Sequence, residues 1–426
     1  MQVLKFGGSS VSNTENMNRV IHLVSQAIQH DKVILVVSAL GGVTDLLIKS
    51  AQLAAAGDEA YKSQLAEVEG RHLNLVRELL PLSEQSSTLS LVKSTCNELE
   101  NLCEGVFLLG ELSDRSLDAI MGFGELFSSS ILSARFHSLA IDNAWTDSRK
   151  FIRTDSAYGS AAVNFKITNQ QIQGLLESNH NSLYIFPGFI ASDEQGFTTT
   201  LGRGGSDYSA AILAAAANAC VLEIWTDVNG MMTADPRLVS QAKPIPHLSY
   251  KEAMELSHFG AKVIYPPTIQ PVMNKGIPLK IKNTFATEEQ GTLIETTTPP
   301  RAEIARGISS LDNMALLSLE GSGMLGVPGI SRRMFEALAK ERINVILITQ
   351  SSSEHSITIV VQAASARKAK EVVDLEFHAE IRLRNIEPVD LEMGVSILAL
   401  VGDNMKNHPG ISGKMFGALG RNGINI

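Results

Sequence analysis

The feature that most restricts what this chain can fold into is an ungapped internal repeat. Residues 316–345, "LLSLEGSGMLGVPGISRRMFEALAKERINV", align with residues 397–426, "ILALVGDNMKNHPGISGKMFGALGRNGINI", at an offset of 81 residues. Each copy reads as an apolar strand, a glycine-bearing loop, "PGIS" at a helix start, a helix carrying Met, Phe, Ala and Leu, and the start of a second strand. The first copy is followed by "HSITIVVQ" at 355–362, a charged helix around 364–375, and "IRLRNIEPV" at 381–389, read as a last strand. That order is β-α-β-β-α-β, the ferredoxin-like unit. "RGISSL" at 306–311 reads as a strand that fits either the first or the second unit. The second copy stops at Ile426, within what reads as its second strand. A unit cut there leaves apolar edges unpaired, so the expectation is a piece of a longer polypeptide.

Upstream of the repeat the texture changes. Apolar runs at 33–39 ("VILVVSA"), 182–191 ("SLYIFPGFIA"), 220–227 ("CVLEIWTD") and 277–283 ("IPLKIKN") alternate with helical stretches at 14–29 and 206–219. Strands alternating with helices predict an α/β domain built on a mostly parallel sheet covered on both faces. Residues 46–120 read as a long helical excursion interrupted near Pro81, and the polar, proline-bearing 286–303 reads as a linker. A chain of 426 residues exceeds one ordinary core. The expected divisions are 1–285, a linker at 286–305, a first repeat unit at 306–390 and a truncated second at 391–426.

Composition narrows the partners. A formal charge of -9 with no basic block argues against nucleic acid, and no apolar run reaches the ~18 residues of a membrane span. Cys96, Cys103 and Cys220 have neither disulfide-framework nor zinc spacing, and are read as reduced residues of a cytoplasmic protein. His72, His247 and His258 show no metal-ligand pattern.

Two glycine-rich loops carry the chemistry. In "LKFGGSSVS" at 4–12, Lys5, Gly7, Gly8 and Ser9 follow a strand and precede a helix whose cap lies among Ser12, Asn13 and Thr14. Glycine lets backbone N–H groups approach an anion, and a helix N-terminus favours negative charge. Alone, this stretch reads more readily as a strand-to-helix turn. "TTTLGRGGSDYSAA" at 198–211 adds Arg203 among glycines, with Ser206 and Asp207 at a helix start. The planar guanidinium suits a carboxylate or phosphate, and two such loops in one domain point to a pair of anionic substrates. "EIWTDVNGMMTADPR" at 223–237 reads on its own as a strand and a turn, without the ligand spacing of a calcium loop. Lys262 in "FGAKVIYPPT" and Glu125 in "GFGELFSS" read on their own as solvated charges, and Asp147 with Arg149 as an ion pair or a solvated loop.

In this order, "KFGGSSV", "SALGGVTDLL", "GFGELFSS", "TLGRGGSDYSAA", "WTDVNGMMTADPR" and "FGAKVIYPPT" resemble the aspartate kinases of the amino-acid kinase family, and the repeats resemble that family's regulatory ACT domains. "GVPGISRRMFEALAKERINVILITQSSSEHSI" is similar to the bifunctional aspartate kinase–homoserine dehydrogenases, and a chain ending inside the second ACT unit would lack the dehydrogenase half. The resemblance implies a three-layer αβα amino-acid kinase fold followed by ACT domains. It implies transfer of the γ-phosphoryl group of ATP, with Mg2+ on the nucleotide, to the β-carboxylate of L-aspartate. It assigns catalysis to Lys5, Asp207 and Lys262, with Asp207 organising Lys5 or the magnesium shell. ATP falls to Lys5, Gly7, Gly8, Ser9, Thr226, Asp227, Met232, Arg237 and Lys262. Aspartate falls to Ser38, Thr44, Glu125, Arg203 and Ser206, with Arg203 on the α-carboxylate and Glu125 on the ammonium. No residue is assigned as a resident metal ligand.

An ACT pair implies a free amino acid as effector and a homo-oligomer formed through the ACT domains. Gly329, Ile330, Asn344 and Gln350 are its expected contacts. Ile346 stands where lysine-regulated relatives tend to carry an acid, so threonine is expected rather than lysine. Two alternatives are another acyl-phosphate-forming amino-acid kinase and a non-catalytic ACT sensor.

Overall fold

The computed structural model describes residues 1–258, 263–298, 304–352 and 354–426. They form two compact units, Met1–Gly307 with Gly402–Ile426, and Ile308–Val401. The first begins β1 (Gln2–Phe6), α1 (Thr14–Ala27), β2 (Val33–Val37), α2 (Val43–Ala55), α3 (Tyr61–Leu79), α4 (Gln85–Leu109), α5 (Asp114–Met121) and α6 (Phe123–Ser138). It continues β3 (Asn143–Trp145), α7 (Phe165–Ser178), β4 (Leu183–Pro187), β5 (Ile190–Ser192), β6 (Thr198–Thr200), α8 (Gly205–Ala216) and β7 (Val221–Thr226). Then come β8 (His247–Ser249), α9 (Tyr250–His258), α10 (Pro266–Lys275), β9 (Leu279–Asn283) and β10 (Thr292–Glu295).

Eight strands form one sheet in the order β3-β4-β2-β1-β7-β9-β10-β8, parallel except for β9 against β10. β2 and β4 are buried along their whole length, which is why they read as unbroken apolar runs rather than alternating ones. α1 starts where Asn13 Oδ1 accepts the N–H of Asn16 at 2.9 Å, and it buries Met17, Val20, Ile21 and Val24 at helical spacing. The helical excursion is α2 to α5, broken at Pro81, and its Leu47, Leu65, Val68 and Leu99 join the core under β1 and β2. β2 and β7 flank β1 on opposite sides, so the carboxyl ends of these strands open a crevice of the kind that binds ligands in parallel sheets. No described helix is long and apolar enough to cross a membrane.

The second unit holds β11 (Gly307–Glu320), α11 (Ile330–Lys340), β12 (Leu347–Gln350), β13 (Ser356–Gln362), α12 (Ala363–Glu376), α13 (His378–Arg382) and β14 (Asp390–Val401). Its sheet runs β12-β13-β11-β14, the ferredoxin-like order. Ala315, Leu317 and Leu319 of β11 and Ile357, Ile359 and Val361 of β13 alternate onto one face, where Met334 and Leu338 of α11 and Ala369 and Val373 of α12 cover them.

Several expectations need correction. Residues 381–389 are not a strand: α13 ends at Arg382, and the buried Ile386 and Val389 are three apart, a spacing no strand face permits. The fourth strand is β14, so the residues expected to open the second repeat unit complete the sheet of the first. Residues 307–311 of "RGISSL" lie in the continuous β11, so this strand goes with the first repeat unit. The supposed linker contains β10, because Thr292 and Ile294 alternate into the core against β9. The repeat's second helix, α14 (Ile411–Arg421), matches α11 residue for residue but buries none of its side chains, whereas α11 buries Ile330, Met334 and Leu338.

Candidate functional site

A cavity of about 360 Å³ opens at the carboxyl ends of β1, β2 and β4. Lys5, Gly8, Ser38, Thr44, Glu125, Ser206 and Asp207, all expected site residues, line it. Lys5 sits near the end of β1 with its side chain largely buried, and its Nζ forms an ion pair with Oδ1 of Asp207 in the first turn of α8. Gly7 lies against that ammonium, since a Cβ built on it would come 3.6 Å from Lys5 Nζ. Ser9 lies one residue beyond the lining, and its carbonyl accepts from Ser12 Oγ at 3.1 Å.

Two helices present their N-termini here. α2 is preceded by Gly42 at φ 80° and α8 by Gly204 at φ 70°, both left-handed, and neither end is closed by a side-chain cap. Their free N–H groups and dipoles favour anions. Gly41 is held in place by its N–H to the Gly8 carbonyl (3.1 Å), and its own carbonyl accepts from Arg71 Nη2 of α3 (2.8 Å).

Glu125 is the strongest departure from the residue-only reading. It is 3% exposed rather than solvated, on the first turn of α6, which Ser128 ties to the Ser38 carbonyl at 2.7 Å. Its Oε2 has no hydrogen-bond partner among the described residues. Burial pushes its carboxyl up to about 8, against the opposing pull of the Ala39 N–H and of Lys5. A buried, under-satisfied acid in a cavity is the environment that an incoming ammonium would satisfy.

The other predicted residues stand apart from the cavity lining. Arg203 is exposed between Gly202 and Gly204, both of which line the cavity, and makes no ion pair among the described residues. Thr226, at the end of β7, and Asp227 meet through Oγ1 and Oδ1 at 3.2 Å. Met232 is half-buried, and Arg237 is 81% exposed in a two-pronged pair with Asp235 (3.0 and 2.6 Å). Asp147 and Arg149 pair at 2.7 Å outside the cavity. Lys262 lies outside the described residues. Phe189 escaped the sequence reading: it lines the cavity at φ 69°, a strained value for an aromatic residue, with its ring against Gly205. Its signal was the "PGF" directly after the β4 run, at the sheet edge where ligands bind.

In the second unit a cavity of about 350 Å³ lies at the start of α11, behind the left-handed Gly329. Gly329, Ile330 and Gln350 line it, Asn344 does not, and Glu354 adds a carboxylate that accepts the Gly326 N–H at 3.3 Å.

Residues 1–283 match the model of the amino acid kinase family, and residues 317–377 and 398–426 that of an ACT domain. The chain is similar to the bifunctional aspartokinase/homoserine dehydrogenase of Haemophilus influenzae, with 36% identity over 100% of this chain and 52% of that protein. It thus spans about half the length of that relative. Lysine-sensitive aspartokinase 3 of Escherichia coli is 32% identical over 98% of this chain and 90% of its own. A crystal structure of E. coli aspartokinase III in complex with aspartate and ADP superposes with a TM-score of 0.83 at 30% identity, covering 98% of this chain and 91% of that one. A parallel-sheet unit with its cavity at the strand ends, a ferredoxin-like unit later in the chain and matches that run the length of the chain make this a member of the amino acid kinase family, among its ACT-bearing aspartokinases.

Proposed function

We propose that the chain transfers the γ-phosphoryl group of ATP to the β-carboxylate of L-aspartate, giving 4-phospho-L-aspartate, under feedback control by an amino acid at the ACT unit. The observation that carries this reading is the buried Glu125 facing Lys5 and the N-termini of α2 and α8 across one cavity. A carboxylate nucleophile is ionised at neutral pH, so no base need remove a proton. The difficulty is bringing one anion to another, and it is met by positive charge and alignment. Lys5, with the backbone of Gly7 and Gly8, neutralises the phosphoryl group in transfer; Asp207 keeps the Lys5 ammonium in place. Glu125 takes the substrate's ammonium, Arg203 swings from its exposed position onto the α-carboxylate, and Ser38, Thr44 and Ser206 give neutral hydrogen bonds. Thr226, Asp227, Met232 and Arg237 lie on the nucleotide side.

Magnesium enters with ATP. The described residues contain no group of three His, Cys, Asp or Glu able to cage a metal, and a hydrated ion held by phosphates needs at most one or two protein carboxylates, of which Asp207 is the one beside Lys5. The effector proposed for the α11 cavity is threonine, its carboxylate on the N–H groups behind Gly329 and its ammonium on Gln350 and Glu354. The ACT units would also join copies of the chain. Aspartate-dependent ADP release tests the kinase reading: turnover with glutamate and none with aspartate overturns it. Calorimetric titration with threonine and with lysine tests the effector, and saturable lysine binding without threonine binding overturns that choice.

A further inference from the structure

A carboxylate outside the cavity holds its amino-acid end together. Asp118, in α5, is fully buried and has no ion-pair partner among the described residues. Its Oδ2 accepts the N–H groups of Gly159 (2.9 Å) and Thr200 (2.8 Å), and its Oδ1 accepts the Thr200 hydroxyl (2.8 Å). Burying an unpaired carboxylate is costly, and three converging donors are what make it tolerable.

Two of those donors belong to Thr200, on chain that leads into the Arg203 loop, and the third to a turn that packs against it. Thr200 ends β6, three residues before Arg203. Gly159 belongs to the turn on which Gly202 rests: a Cβ on Gly202 would come 3.1 Å from the Gly159 carbonyl oxygen and 3.4 Å from Ser160 Cβ. The same turn is closed by Asp155 Oδ1, which accepts from Ala162 N–H at 2.9 Å, and by the Ala161 N–H on the Thr200 carbonyl at 3.0 Å. On its other side Asp118 stands seven residues before Glu125. Between them, Gly122 is pressed against the β5–β6 hairpin, where a Cβ would meet Ile190 at 3.0 Å and Thr198 at 3.5 Å.

We propose that Asp118 is a positioning residue for the amino-acid substrate: it clamps the β6–α8 loop bearing Arg203 to the α5–α6 segment bearing Glu125, and so sets the spacing of the two groups that grip the substrate's carboxylate and ammonium. The proposal rests on the aspartate kinase reading. It touches neither the phosphates nor Lys5, so its loss separates the two substrates kinetically.

Asp118→Asn keeps the volume but removes the charge that strengthens all three bonds: its amide oxygen can still accept the two N–H groups, while its N–H2 forces the Thr200 hydroxyl to turn and accept and leaves one N–H over. The KM for aspartate should rise tenfold or more while the KM for ATP stays within twofold. Thr200→Val, which removes only the hydroxyl, should raise the aspartate KM two- to fivefold with the ATP KM unchanged, and should add less than twofold on top of Asp118→Asn. A purely structural residue would lower the active fraction, and with it kcat, leaving both KM values unchanged; that result, or an equal rise in both KM values, overturns the proposal. If Asp118→Asn does not fold, an unchanged aspartate KM in Thr200→Val overturns it. Absence of aspartate turnover in the unmodified protein would sink the kinase reading and this proposal with it; wild-type turnover with an unshifted aspartate KM in the variants sinks the proposal alone.

Discussion

Aspartate binding should be coupled to loss of a proton from Glu125. With its carboxyl pushed up to about 8 by burial, about one site in ten is ionised at pH 7. The substrate's ammonium needs the ionised form, so binding at pH 7 carries a deprotonation penalty on the order of 1 kcal/mol, larger at pH 6 and almost none above pH 8.5. The apparent Kd for aspartate should therefore fall about tenfold per pH unit from 6 to 7.5 and level off above 8. Calorimetry at pH 7 in two buffers of contrasting ionisation enthalpy should register close to one proton released per aspartate bound. His72 does not confuse the result: it is stacked under α6 on Phe127 at 4.6 Å, and burial holds it down to about 4, neutral throughout the window. Glu125→Gln should bind more weakly and lose both the pH dependence and the proton release. A Kd that is flat from pH 6.5 to 8.5, with equal heats in both buffers, would refute the assignment of Glu125 to the ammonium.

The same buried acid has a consequence for stability. Its folded-state pKa lies above the unfolded 4.5, so the folded chain holds a proton that the unfolded chain gives up, and stability falls as pH rises from 4.5 to about 8. Glu125→Gln should therefore unfold at a higher temperature than the parent at pH 8.5, by a few kcal/mol at most, and the difference should vanish near pH 4.5. Lys5→Ala should abolish turnover far more than it weakens ATP binding, as read by single-turnover rates against nucleotide titration. Gly204→Ala places a Cβ 2.5 Å from Tyr265 Cβ on a left-handed backbone. It should cost about 2 kcal/mol in denaturant unfolding and raise the aspartate KM.

Much of this was legible in the chain. The fully apolar β2 and β4 announced a parallel sheet, the offset of 81 announced two stretches that match an ACT domain, and the ordered glycine loops announced where Lys5 and Asp207 meet. What stayed hidden depended on tertiary placement. Glu125 looks solvated in "GFGELFSS" because nothing local says that α6 packs its first turn under Ser38. "IRLRNIEPV" looks like a strand because isoleucine and valine are strand formers, yet α13 running to Arg382 and the burial of Ile386 and Val389 three apart decide otherwise. Asp118 is one acid among many until its three donors, forty-one and eighty-two residues away, are seen.

The helix starts at the two cavities share one device, a glycine where a better capping residue could stand. α1, α5 and α7 are closed by Asn13, Ser113 and Asn164, whose side-chain oxygens fill a first-turn N–H. α2, α8 and α11, the three helices that begin at the two cavities, instead start behind left-handed Gly42, Gly204 and Gly329 with no side-chain cap. Each forgoes roughly a few tenths of a kcal/mol of capping stability relative to serine or asparagine. A capping side chain would occupy the same N–H groups that an anion needs, so the local loss of stability is the condition for binding. By this argument a serine or asparagine cap is evidence against a ligand at that helix end. The uncapped left-handed glycine permits a carboxylate or phosphate at a helix start but does not by itself mark one, since α14 also begins behind such a glycine, Gly410.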